Sequence, residues 1–137
     1  MVQVAGIELL ILPALALGTV LSLVELYFIH GDEIGLHWLS HGLHALPFMY
    51  GAVLITMNTE QALSLVGLGN SLMYVLGAQI LVGIIALFKI KVAVSIAGQG
   101  KIGESFIHLL IIAALIVAAP YIWEYALADV LGDTLTL

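Results

Sequence analysis

The sequence predicts an all-α protein: an integral membrane bundle of four hydrophobic transmembrane helices. Three observations carry this. Of the 137 residues, 63% are hydrophobic and only 9% charged, with a mean hydropathy of +1.21. Soluble domains carry about 25% charged residues, because a water-facing surface needs them. Apolar stretches long enough to cross a hydrocarbon core, roughly 20 residues for about 30 Å, recur four times. The segments between them read as turns, so residues 1–137 form a single domain with spans near 6–29, 36–57, 62–88 and 106–128.

The first span runs from Gly6 to Ile29, with an unbroken apolar or small run between Glu8 and Glu25. Gln3 and Glu8 stand where a cleavable signal would carry basic residues, so none is expected. Ala14, Gly18 and Ser22 recur every fourth position and share one helix face, the pattern that lets helix backbones approach in lipid. "HGDEIG" at His30 to Gly35 closes the span, and Asp32 is placed to cap the next helix. The second span, Leu36 to Met57, is less apolar at its start. "MNTEQ" at Met57 to Gln61 is a tight helix–helix joint, with Asn58 ending one helix and Thr59 starting the next.

The third span, Ala62 to Phe88, carries Gly67, Ser71, Gly77 and Gly83 as further small-residue gaps. A helix continuing from Ala62 to Ala97 would be roughly 54 Å long, well beyond a bilayer core, so a break is expected near Lys89. "KIKVAVSI" at Lys89 to Ile96 alternates with a period of two, which suggests an interfacial segment with strand character. The fourth span, Phe106 to Ala128, holds Ala113, Ala114, Ala118 and Ala119. Tyr121, Trp123 and Tyr125 follow as an expected interfacial aromatic belt. Pro13, Pro47 and Pro120 fall inside apolar spans and are expected to kink them.

Residue absences narrow the function. There is no cysteine, which excludes disulfides, thiolate metal sites and a cysteine nucleophile. There is no arginine, and the net charge is −6, so no nucleic-acid partner is expected. The three cations, Lys89, Lys91 and Lys101, all fall in the third connection. Positive charge is retained in the cytoplasm, which places Lys89 to Ser105 inside a cell membrane and both termini outside.

Three features could carry chemistry. In "VAVSIAGQGKIGESF", Gly98, Gly100 and Gly103 fit G-x-G-x-x-G, and Glu124 lies near the spacing of a ribose-binding acid. That motif needs a parallel sheet and a polar exterior, for which this chain has no room, so a glycine-rich turn is the expected reading. In "DEIGLHWLSHGLHALP", a helix would stack His37, His41 and His44 at i, i+4 and i+7, with Glu33 one turn earlier. His108, at the start of the fourth span, would lie near the same membrane surface. Imidazoles at this spacing accept a transition metal, and two on different helices can hold a haem. The alternative is a set of interfacial histidines that bond to neighbours or water.

Third, Glu8, Glu25 and Glu124 lie within or at the edges of spans, where a carboxylate faces a bundle interior, a cavity or a partner. Each is expected as an end-of-helix or interfacial charge. Asn70, Gln79 and Thr19 are expected to bond helix to helix rather than to line an ion path.

No nucleophile–base set or carboxylate pair is legible. The sequence therefore reads as a small multi-pass, non-catalytic membrane subunit, with the lipid bilayer, copies of itself or larger membrane proteins as partners. Two other readings stay open: a metal- or haem-binding subunit of a redox complex, and a hydrophobic building block of a filament or virion coat.

Overall fold

A computed structural model describes residues 2–4, 7–32, 37–96 and 106–135. Helix dominates the described residues, the form in which a segment satisfies its own backbone polar groups. Two short strands, β1 (Val2–Val4) and β2 (Ile7–Leu9), pair antiparallel, with Gln3 opposite Glu8. Helix α1 then begins at Ile11 and ends at Asp32. The first span is thus shorter at its start than Gly6 to Ile29, because "VQV" and "IEL" each alternate apolar and polar and close as a hairpin. Pro13 falls in the first turn of α1, where its missing N–H costs nothing, so it does not kink that helix.

Helix α2 covers His37–Met57 with Pro47 inside it. Asn58 and the short helix α3 (Thr59–Leu65) follow directly. The third apolar run is not one helix. After Leu65 the chain breaks: Gly67 adopts φ +73°, and the Leu68 and Gly67 N–H groups bond back to the Leu63 and Ser64 carbonyls. This is the left-handed C-terminal stop that glycine allows. Asn70 lies exposed in the break, and Ser71 heads the next helix, its carbonyl accepting from the Val75 N–H. Helix α4 therefore starts late, at Leu72, and runs unbroken to Ile96. Because its start is delayed, its 25 residues extend only about 38 Å, and no break at Lys89 is needed. "KIKVAVSI" is helix, not strand.

Helix α5 (Phe106–Ile122) passes through Pro120 into a five-residue π-helical turn, Trp123–Leu127, and then α6 (Ala128–Leu135). Among the described residues, three helical stretches are long and apolar enough to cross a membrane: Ile11–Gly31, Leu72–Lys89 and Phe106–Leu135. Helix α2 has comparable length but is diluted by histidines, Ser40 and Pro47.

Helix α2 packs against α1, α4 and α5, which makes it the hub of the bundle. The core is wholly apolar through the middle: Ala14, Leu17 and Leu21 of α1 meet Met49 and Val53 of α2 and Leu109, Ile112 and Ile116 of α5. Of the α1 stripe, Ala14, Gly18 and Ser22 are all buried inside the chain. Gly18 faces the Tyr50 ring, which an added Cβ would meet at 2.8 Å. Gly83 plays the same part between α4 and α5, where a Cβ would lie 2.8 Å from Val117 Cγ2 and 3.3 Å from the Ala113 carbonyl oxygen. Gly77, by contrast, is exposed with nothing within 4 Å, and Gly67 and Ser71 serve the break rather than a helix face.

The aromatic end of α5 also differs from a belt. Trp123 is buried in the core, and Tyr121 turns inward to a hydrogen bond, leaving Tyr125 exposed.

Candidate functional site

The bundle interior holds two polar layers separated by the apolar middle. The layer nearer the α2–α3 joint is a hydrogen-bonded network. Tyr121 donates its hydroxyl to Gln79 Oε1 at 3.0 Å, and Gln79 Nε2 reaches the Thr56 carbonyl at 3.5 Å. Thr56 and Thr59 hydroxyls bond back one turn, to Ala52 and Ile55 carbonyls respectively. Asn58 accepts the Leu10 N–H at 2.7 Å, tying the start of α1 to the end of α2. Gln79 thus bonds helix to helix, as its position in the third apolar run predicts, and Thr19 does likewise through the Tyr50 hydroxyl at 3.0 Å.

The second layer is the chemically distinctive one. His108 Nε2 lies 2.8 Å from Glu25 Oε2, and their side chains are 1% and 0% exposed. With its proton on Nε2, the imidazole donates to the carboxylate. Each helix supplies one partner near one end of the bundle. Glu25 sits about two turns before the end of α1, and His108 lies in the first turn of α5. Phe28, one turn beyond Glu25, stacks on the imidazole at 4.8 Å between ring centroids and 20° between planes. The ring fixes the imidazole plane and seals the pair with apolar surface. Ser22, one turn before Glu25, completes the polar strip on α1 and is likewise buried. Ser22 Oγ and Glu25 Oε1 have no hydrogen-bond partner among the described residues.

Glu25 is therefore not an end-of-helix charge at an interface. It faces the bundle interior, one of the surroundings expected for a carboxylate within an apolar span. Glu8 and Glu124 are exposed. The pairing of Glu25 with His108 spans 83 positions, and neither residue type nor local spacing signals it.

The predicted histidine face falls largely outside the described residues. Glu33 lies outside the described residues, as do the side chains of His37 and His41. His44 is exposed, with Nδ1 2.6 Å from the Ser40 carbonyl oxygen one turn back. His30 sits edge-on to Trp38, and His108 is engaged by Glu25. Among the described residues, no three histidine, aspartate or glutamate side chains come close enough to hold a metal ion. The glycines at 98, 100 and 103 also lie outside the described residues. Lys89, at the far end of α4, stands 5.8 Å from the Phe48 ring centroid, a cation–π distance.

Comparison with protein families, with curated proteins and with solved structures finds no match for this chain.

Proposed function

We propose that this chain is a multi-pass integral membrane protein of four spans, with α2 as the fourth, acting as a non-catalytic subunit that assembles with copies of itself or with larger membrane proteins. One observation carries the reading: large apolar side chains cover the outside of the bundle. Leu15, Val20 and Leu23 on α1, Leu81, Ile84, Ile85 and Phe88 on α4, and Ile107 and Leu110 on α5 all face outward. A monomeric soluble protein rarely tolerates contiguous apolar patches beyond a few hundred Å². In lipid the same surface is at no disadvantage.

Assembly is supported by the α4–α5 face. There Ile80, Gly83, Leu87, Ala113, Ala114 and Val117 line an open, almost purely apolar groove of about 440 Å³. Small side chains on its floor allow a neighbouring helix to approach closely, which is how helices associate where lipid is as apolar as leucine. The topology that goes with this reading puts the Lys89 to Ser105 segment in the cytoplasm and both termini outside.

The test is extraction followed by native purification. The protein should stay with the membrane fraction through an alkaline carbonate wash and leave it only with detergent. Purified gently and analysed by native mass spectrometry, it should carry further copies or companion membrane proteins. Release by carbonate would remove the membrane reading, and a strictly monomeric particle would remove the assembly role.

A further inference from the structure

Ser22 and Glu25 stand one helical turn apart on the buried face of α1, 3% and 0% exposed. One carboxylate oxygen of Glu25 is taken by His108, while the other, and the Ser22 hydroxyl, lack a partner among the described residues. Buried polar atoms in native proteins are satisfied almost without exception, and an orphan carries its whole desolvation penalty. Two orphans on adjacent turns of one helix face are close enough to share a single small bridging group.

We propose that Ser22 Oγ and Glu25 Oε1 together hold one internal water molecule, which turns the α1–α5 contact into a hydrated polar site. The water donates one hydrogen to Glu25 Oε1, which as a carboxylate oxygen can only accept. Its second hydrogen goes to Ser22 Oγ, or it accepts the Ser22 hydroxyl proton instead. Buried waters make two to four such bonds, and this site offers at least two. A metal cation fits poorly: a hard cation wants about six oxygens. The buried side chains on neighbouring turns, Leu21, Ile29, Leu109 and Ile112, supply none.

His108, Glu25, the water and Ser22 then form one hydrogen-bonded chain across α1 and α5. Towards the Gln79–Tyr121 layer it is closed by Leu17, Leu21, Ile112 and Ile116. Tyr121 lies thirteen positions after His108, about 20 Å along the helix, so the two layers stand well apart. The site therefore retains a water rather than conducting one.

The full-length protein in lipid nanodiscs serves for the test, by infrared difference spectroscopy between ordinary and heavy-oxygen water. An O–H stretching band of a strongly bonded internal water should move to lower frequency on the exchange. The band should be lost in Ser22→Val, whose added methyl takes the space and whose hydroxyl is gone. It should persist in Ser22→Thr, which keeps the hydroxyl. If Ser22→Val does not fold, the Glu25→Leu/His108→Leu pair replaces it, and the band should be lost there too. A spectrum in which no isotope-sensitive band distinguishes the wild type from the folded band-loss variant overturns the proposal. So does stoichiometric metal in the purified protein.

Discussion

Glu25 and His108 are the residues on which an account of this protein turns, because two polar side chains are buried against each other in an otherwise apolar core. Removing His108 alone leaves a carboxylate without its donor in an apolar interior, a change that costs about 3–5 kcal/mol. Replacing both partners with apolar residues of similar volume removes the buried carboxylate as well as the bond, and such swaps are often neutral. Steady unfolding in mixed detergent should therefore show His108→Leu strongly destabilised and the Glu25→Leu/His108→Leu pair recovering most of the loss. A His108→Leu protein as stable as the wild type would show that the contact contributes nothing. The sequence made Glu25 visible as a carboxylate in an apolar span and His108 as a histidine at the start of another. It could not join them, because pairing across 83 positions is set by helix packing and not by spacing. The histidines it did join, His37, His41 and His44, share a local period that a helix satisfies whether or not anything binds.

Among the elements, α4 shows which small residues matter. Gly83 meets both the Val117 side chain and the Ala113 backbone, and a backbone atom cannot swing aside. Gly83→Ala should push α4 from α5 and cost about 1–3 kcal/mol, as overpacking does. Gly77 has open space around its Cα, so Gly77→Ala should be neutral or gain up to about 1 kcal/mol of helix propensity. Thermal unfolding of the two variants side by side decides it; equal losses would mean the outer face of α4 is covered by something else.

Gly67 belongs to a different class. Its φ of +73° is one that side-chain-bearing residues adopt only with strain. Gly67→Ala should lose about 1–2 kcal/mol without touching any packing contact. The all-α character and the three long apolar helices are legible because hydrophobic runs of bilayer length need no tertiary information. The break at Gly67 is not legible for the opposite reason: Leu65, Val66, Leu68 and Leu72 keep the segment as apolar as a span. The strand pair at the start was also written in the chain, as "VQV" and "IEL", but three-residue strands are too short for periodicity to outweigh an adjoining apolar run.

For the whole molecule, the packing constrains the topology more tightly than the three lysines do. Glu25 near the end of α1 touches His108 at the start of α5, while Asn58 at the end of α2 touches Leu10 at the start of α1. Two opposite ends of the bundle are thereby defined, one holding the α1–α2 and α4–α5 connections, the other the α2–α3 joint and the approach to α1. If α1, α2, α4 and α5 each cross, Glu60 and Asp133 must share one side of the membrane and Lys101 must lie on the other. The chain has no cysteine, so single-cysteine variants can be read without background. Glu60→Cys and Asp133→Cys should react in intact cells with a membrane-impermeant maleimide, and Lys101→Cys only after permeabilisation. Complete inversion of that pattern would keep the four spans and reverse the orientation that the lysines suggest. Labelling of Lys101→Cys together with Glu60→Cys would mean that α4 does not cross, and the four-span reading would go with it.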